Sequence, residues 1–207
     1  MTIDLVKLDR LAEVAVRTGV NLGEGQELVI TAPIEALPLV RRIVVHAYKA
    51  GASLVTPIFS DGEITKARYE NGADASFDKA PAWLFEGMGA AFKSGATRMA
   101  ITGDDPMLLA EMDPAKVARV GKATSIAAKP AMNPIVGFEV NWNIVAYPTA
   151  GWAACAPSRR RSATACTPGW GSWTCAATPT GGPSASRWAT GTSCSWVQKA
   201  KQNGPTQ

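Results

Sequence analysis

Two adjacent carboxylates, Asp104 and Asp105, follow the stretch that runs from Thr97 to Thr102. That stretch is predicted to be a strand, and in open α/β sheets ligands bind beyond the carboxyl ends of the strands. Two carboxylates at such a place could bind a cation or the amine of a substrate. Neighbouring side chains point in different directions, however, and Gly103-Asp104-Asp105-Pro106 has the composition of a turn. The sequence favours the turn and leaves the binding site open.

The single histidine and the four cysteines predict no catalytic or metal centre. His46 lies on a predicted helix with Arg42 and Lys49 beside it, so we expect a surface histidine on a cationic face. The cysteines show no C-x-x-C spacing, which predicts neither a zinc site nor a disulfide framework; they are Cys155, Cys166, Cys175 and Cys194. No Ser/His/Asp set, H-E-x-x-H or phosphate loop occurs, and the G-x-G at 23–25 precedes its strand instead of following it.

Periodicity predicts helices that alternate with strands over residues 1–150. Apolar spacings of three and four indicate helices, and short β-branched runs between Gly, Pro and Asn indicate strands. The predicted helices are 4–19, 35–50, 60–69, 78–94 and 113–128, and the predicted strands are 27–32, 53–59, 97–102 and 143–147. After Lys129-Pro130 we expect an irregular segment. The pattern predicts an α/β domain with a mainly parallel sheet and helices on both faces.

The charge of the 207 residues divides sharply along the chain. All 17 Asp and Glu and 15 of the 21 Lys and Arg precede residue 151, so that part carries a net charge of −2. The whole-chain charge of +4 therefore depends on the last 57 residues, and it does not indicate a nucleic-acid partner. The start has no signal-peptide pattern and no run of about 18 apolar residues occurs, so we expect a cytoplasmic protein without a membrane span.

The composition changes abruptly after Ala153, which predicts two parts, 1–153 and 154–207. From residue 151 onward the chain has no Leu, Ile, Phe, Met, Tyr, Asp, Glu or His, yet it has five of the seven Trp and all four Cys. A frameshift in a GC-rich gene would give this composition, which is our leading hypothesis. A disordered basic linker is a second reading. A small Cys/Trp module that binds metal, or nucleic acid through Arg159-Arg160-Arg161, is a third.

Several short motifs occur in one order over residues 1–153. They are Asn21-Leu22-x-x-Gly25-Gln26, Ala50-Gly51-Ala52, Pro81-Ala82-Trp83, Gly103-Asp104-Asp105-Pro106, Asp113-Pro114-x-Lys116, Trp142-Asn143-Ile144 and Tyr147-Pro148-Thr149-x-x-Trp152-Ala153. Together they resemble the M29 family of metallo-aminopeptidases, of the thermophilic aminopeptidase T type. The resemblance implies a cytoplasmic, homodimeric exopeptidase that removes N-terminal residues from peptide substrates. It also implies two divalent metal ions, with zinc, cobalt or magnesium as candidates.

The same resemblance implies that the catalytic residues of the family lie outside these motifs. Its metal ligands (Glu, His and Asp) and a catalytic Tyr belong to a second, C-terminal domain, while the N-terminal domain shapes the substrate cleft and contributes to the dimer. After Trp152 this sequence has no Glu, Asp, His or Tyr. No catalytic or metal residue can be carried over to it, the substrate-binding residues stay unknown, and we expect these 207 residues to bind no metal and to be inactive. A small-ligand-binding or subunit-interaction domain without catalysis is the alternative.

Overall fold

A five-stranded sheet forms the centre of the computed structural model, which describes residues 4–155 and 196–198. The strands are β1 (Glu27–Pro33), β2 (Leu54–Ser60), β3 (Thr97–Thr102), β4 (Trp142–Ala146) and β5 (Trp196–Gln198). Their order across the sheet is β2-β1-β3-β4-β5. β1 to β4 are parallel, and β5 pairs antiparallel with β4. The mainly parallel α/β sheet that the sequence predicts is confirmed.

Helices connect the strands, and aspartates begin three of them. The helices are α1 (Leu5–Val14), α2 (Leu37–Lys49), α3 (Gly62–Asn71), α4 (Ala82–Lys93), α5 (Pro114–Ala127), α6 (Lys129–Val136) and α7 (Ala150–Cys155). A π-helical turn, Ala15–Val20, continues α1, and short 3-10 turns lie at Ile34–Ala36 and Asp74–Ser76. The side chains of Asp4, Asp61 and Asp113 accept hydrogen bonds from backbone N–H groups of the first turns of α1, α3 and α5. None of the helices in the described ranges is long and apolar enough to cross a membrane.

Each face of the sheet packs against its own helices. On one face Leu28 and Ile30 of β1 are buried against α1 and α2, where Leu39 and Ile43 are fully buried. On the other face Val29 packs with residues of α4 and α6, which include Met88, Phe92 and Ile135. Burying one such side chain contributes about 1.5–3 kcal/mol. These two apolar layers confirm that helices cover both faces.

Helix α6 corrects the sequence prediction, which expected an irregular segment after Lys129-Pro130. Pro130 stands in the first turn of the helix, where no backbone donor is needed, and Pro134 lies inside it. The helix forms because its buried face, with Ala131 and Ile135, packs on α4. Tertiary packing therefore overrides the low helix propensity of its two prolines.

The part after Ala153 contains two described elements that the sequence did not predict. Helix α7 continues to Cys155, and Trp196–Gln198 forms β5 beside β4. Apart from these residues, the irregular tail that the sequence predicts lies outside the described ranges. The predicted division between residues 153 and 154 falls inside α7 and stays a prediction.

The outer margin of β2 is shielded by a side chain and a proline. The backbone N–H of Val55 donates to the Tyr48 hydroxyl at 3.3 Å instead of to a strand. Side chains and hydrogen-bonding directions alternate along a strand, so Pro57, two residues on, occupies the next outward position and has no N–H. Two successive outward positions of β2 therefore offer no free backbone donor.

Arg119 of α5 holds the connection between α3 and α4. Its guanidinium donates to Asp74 Oδ1 at 2.7 Å and to Asp78 Oδ1 at 3.0 Å. Between these two acids lies Phe77, which is 1% exposed, stacks on Tyr69 and has the Arg119 guanidinium over its ring. The hydrogen bonds from Arg119 hold the pKa of both carboxyl groups below the ordinary range for aspartate.

Acid is therefore expected to weaken the anchor that Arg119 makes. A carboxyl group with a lowered pKa in the folded state contributes stability above its unfolded pKa, and this contribution disappears as the pH falls through the folded pKa. The pH range in which this stability is lost lies below about pH 4. We expect Arg119→Met to reduce the loss of unfolding free energy between pH 5 and pH 2.5, measured by urea denaturation at each pH. Lys93→Met, which removes an exposed cation that makes no ion pair within the described residues, is the control for a change of net charge. Equal pH slopes for the native protein and Arg119→Met would contradict the assignment.

Candidate functional site at the carboxyl edge of the sheet

The strand order reverses between β1 and β3, which makes a switch point at the carboxyl edge. From β1 the chain passes through α2, on one face, to β2, whereas from β3 it passes through α6, on the other face, to β4. β1 and β3 are direct neighbours, with Thr31 opposite Ala100. The loops that begin at Ile34 and Gly103 therefore leave adjacent strands toward opposite faces. In open α/β sheets such a switch point is the usual place of ligand binding.

The loop after β3 is locked to the loop after β4 at Gly103. A Cβ atom on Gly103 would lie 2.2 Å from the backbone oxygen of Tyr147, so the two backbones touch where a side chain has no room. The Thr149 hydroxyl donates to the Gly103 carbonyl and accepts from the backbone N–H of Trp152 at 3.1 Å. Thr149 thus acts as the N-cap of α7 while it joins the two loops.

The two adjacent carboxylates have different surroundings. Asp105 Oδ1 accepts from the Met107 N–H at 2.9 Å, and its side chain packs against Gly151, where a Cβ would lie 2.6 Å from Asp105 Cβ. Asp105 is therefore a turn residue, as the sequence favours. Asp104 is exposed, and within residues 4–155 its carboxylate makes no hydrogen bond or ion pair. Of these two adjacent carboxylates, only Asp104 makes no bond to the described residues and remains available to a ligand.

His46 lies in α2 near the end that leads away from this edge, and it is not a surface residue. Its side chain is only 12% exposed, and Nε2 lies 3.1 Å from Asp9 Oδ1 of α1. The sequence prediction of a surface histidine was wrong because α1 packs across α2 and covers it. The pair joins two helices and has no contact with the switch point among the described side chains.

Tyr147 and Thr149 are the residues of the edge whose roles the sequence did not specify. Tyr147 is 4% exposed within the core, and burial raises the pKa of its hydroxyl while nearby Arg42 opposes that rise. The contact of Thr149 with Gly103 joins residues 46 positions apart. Their shared place in the Tyr147-Pro148-Thr149 motif was the only signal in the sequence.

The donor groups of the described residues do not fit a bound divalent metal. A catalytic metal needs about three protein ligands that converge on one point. Within the described ranges, which include all 17 Asp and Glu and the only His, no three His, Cys, Asp or Glu side chains come together in this way. No chemical step through a metal is assigned to these residues.

Comparison with known proteins agrees with the motifs and the fold. A family model described as thermophilic metalloprotease (M29) matches residues 5–181. The chain belongs to the M29 family. Aminopeptidase T of Thermus thermophilus is 48% identical over 146 residues, which are 70% of this chain and 36% of that protein. Aminopeptidase AmpS of Bacillus subtilis is 35% identical over 147 residues, with 71% and 36% covered.

A solved structure shares the architecture as well as the sequence. Wild-type AmpT from Thermus thermophilus superposes with a TM-score of 0.71 at 47% identity, covering 72% of this chain and 38% of that one. The family resemblance read from the motifs is thus confirmed. This M29 chain spans little more than a third of the length of the relatives it matches.

Proposed function

We propose that residues 1–153 are the N-terminal α/β domain of a metal-dependent aminopeptidase and that these 207 residues alone are inactive. The observation that carries the proposal is the 48% identity to aminopeptidase T over 146 residues that make up only 36% of that enzyme. A match that covers about a third of the enzyme supports the assignment of these residues to one of its domains. The resemblance adds peptide substrates, a homodimer and a cytoplasmic location to the proposal.

The chemistry of peptide hydrolysis supports a division of labour between two domains. A two-metal site activates a water molecule and stabilises the developing oxyanion, and it needs several carboxylates and imidazoles around the ions. The described residues offer no such cluster. They do offer an exposed carboxylate, Asp104, beside the switch point. In the proposal this edge forms a wall of the substrate cleft, where Asp104 attracts the free α-ammonium group of a peptide.

Hydrolysis of aminoacyl p-nitroanilides tests the proposal directly. With Co²⁺, Zn²⁺ or Mg²⁺ added, we expect no metal-dependent release of nitroaniline by the 207-residue chain. Aminopeptidase T of Thermus thermophilus, assayed in the same buffers, is the positive control. Metal-dependent turnover by the chain itself, retained after further purification, would contradict the proposed inactivity of these 207 residues.

For residues 154–207 we propose sequence that is not native to the family and that arises from a frameshift, although the M29 family model extends to residue 181. The support is compositional: five Trp and four Cys accompany one Val and no other large aliphatic residue from position 151 onward. Reading the encoding DNA in its other two frames tests this. A frame rich in Glu and Leu that continues the M29 sequence is expected after Ala153, and its absence from both frames would refute the frameshift.

Binding of a small ligand without catalysis is a second candidate function. The reversal of strand order between β1 and β3 favours it, because such switch points bind ligands in many unrelated α/β proteins. Titrations of the chain with dipeptides and with their N-acetylated forms, followed by calorimetry, separate the candidates. Binding of the free dipeptides but not of their N-acetylated forms supports the proposal that this edge is a wall of the substrate cleft of an aminopeptidase. Equal binding of both forms supports a ligand-binding domain without catalysis.

A further inference from the structure

Arg98 of β3 and Trp142 of β4 form a pair of hydrogen-bond donors on one face of the sheet. The two residues are register partners, and Arg98 also stands opposite Val29 of β1. Register partners on neighbouring strands point to the same face. Val29 and Trp142 both pack in the apolar layer beneath α4 and α6. The side chains of Arg98 and Trp142 therefore leave the sheet next to each other, and we call them the donor pair.

Neither member of the donor pair has an acceptor among the described residues. The Trp142 Nε1 atom is closed off from solvent and has no hydrogen-bond partner. Arg98 is half-buried, and within the described ranges its guanidinium makes no hydrogen bond or ion pair. Burial lowers the pKa of this guanidinium, because its charge is partly withdrawn from water. Buried donors without acceptors are costly, and a partly desolvated cation without a countercharge is more so.

The acidic side chains of the chain do not supply the missing acceptor. All 17 Asp and Glu residues lie within the described ranges, and none of them forms an ion pair with Arg98. The carboxylate of Glu139, the nearest acid before Trp142 in sequence, lies beside Gly137. A guanidinium that reaches water would account for Arg98 alone, but it gives the buried Trp142 N–H no acceptor. An anion from outside these residues fits both donors.

We propose that Arg98 and Trp142 bind a small oxoanion at the amino end of β3 and β4. A phosphate, sulfate or carboxylate group has at least two oxygen atoms. One oxygen accepts from Trp142 Nε1, and another accepts from the fork of N–H groups that the guanidinium presents. The anion supplies the countercharge of Arg98 and joins the starts of the two strands. This site lies at the edge of the sheet opposite the switch point, and it does not depend on the proposed function.

Calorimetric titration of the 207-residue chain with sodium phosphate and with sodium acetate tests the site. At constant ionic strength we expect saturable binding of at least one of the two anions below about 10 mM. Arg98→Met nearly keeps the length of the side chain and removes its charge, so we expect it to weaken binding at least about tenfold. Trp142→Phe keeps an aromatic ring and removes the N–H, and it should weaken binding about threefold to tenfold.

Lys93→Met is the matched control, because Lys93 is an exposed cation at the end of α4 that leads to the same edge. It should leave the dissociation constant unchanged, which separates a specific site from a general attraction of anions to basic side chains. Tighter binding of phosphate would identify a tetrahedral anion as the ligand, and tighter binding of acetate a carboxylate. The proposal is overturned by the absence of saturable binding of either anion, or by equal losses of binding in Arg98→Met and Lys93→Met.

Two further measurements keep the proposal testable if Arg98→Met does not fold. Arg98→Lys retains the charge but lacks the planar fork, so we expect it to bind the anion at least about threefold more weakly. Tryptophan fluorescence gives a second readout: the anion should change the emission of the native chain and of Lys93→Met, but not that of Trp142→Phe. An emission change of native size in Trp142→Phe would place the anion elsewhere and overturn the proposal.

Discussion

Replacement of Gly103 by alanine is expected to lower the free energy of unfolding by about 3 kcal/mol. The added Cβ would lie 2.2 Å from the Tyr147 carbonyl oxygen, which belongs to the backbone of the neighbouring strand end and cannot rotate away. Relief requires β3 and β4 to separate at their carboxyl ends, which would also stretch the hydrogen bond from Thr149 to Gly103. For a domain of this size the loss corresponds to a fall of about 6–12 °C in Tm.

Urea denaturation measures the effect of Gly103→Ala, and a second variant identifies its cause. Thr149→Val keeps the backbone contact but removes the hydroxyl that joins the two loops and caps α7. We expect it to cost about 1–2 kcal/mol. A Gly103→Ala protein that unfolds at the native urea concentration would show that the loops are not locked together as described.

Alanine substitutions at two glycines of α4 are expected to change the free energy of unfolding in opposite directions. A Cβ on Gly89 would lie 2.6 Å from the backbone oxygen of Pro130 in α6, whereas a Cβ on Gly87 would meet nothing within 4 Å. Alanine is the better helix former at both positions, by about 1 kcal/mol. We therefore expect Gly87→Ala to stabilise the protein by about 0.5–1 kcal/mol. Gly89→Ala should destabilise it by about 2 kcal/mol, because the overlap with α6 outweighs the gain in propensity.

The pair of α4 variants is its own control, since both carry the same change two residues apart in one helix. Urea midpoints that move in opposite directions, with equal dependence on denaturant, are the expected result. Destabilisation by both substitutions would mean that α4 tolerates no alanine for a reason other than its contact with α6. Stabilisation by both would show that α4 and α6 are not in close contact.

The sequence predicts most elements of this fold because local signals agree with the tertiary structure there. Asp4, Asp61 and Asp113 mark helix starts that the structure confirms, and the β-branched run around Val29 marks a strand that is buried on both faces. The sequence did not predict helix α6, because its two prolines disfavour a helix. The contact with α4 that stabilises the helix is visible only in the tertiary structure. The sequence did not predict strand β5, because three residues are too few to show the alternation of side chains that identifies a strand.

The candidate site was only partly predictable, because its geometry joins distant parts of the chain. The sequence placed Gly103-Asp104-Asp105 after a strand, which is correct, but it could not give the strand order that puts this loop at a switch point. It also could not show that Gly151 packs on Asp105 and thereby makes one carboxylate structural. His46 was misjudged for a related reason: the helix that covers it, α1, lies more than thirty positions earlier in the chain.

The shielded margin of β2 decides where this sheet is able to grow. Tyr48 and Pro57 leave no free backbone donor at two successive outward positions, so a strand from another molecule finds no ladder to join on that side. On the other side of the sheet, among the described residues, β5 pairs with β4. On a ribosome the β2 side is synthesised first and the β4 side last. Copies that emerge side by side on one messenger RNA are therefore shielded against strand pairing at these two positions of β2, on the side of the sheet that is exposed longest.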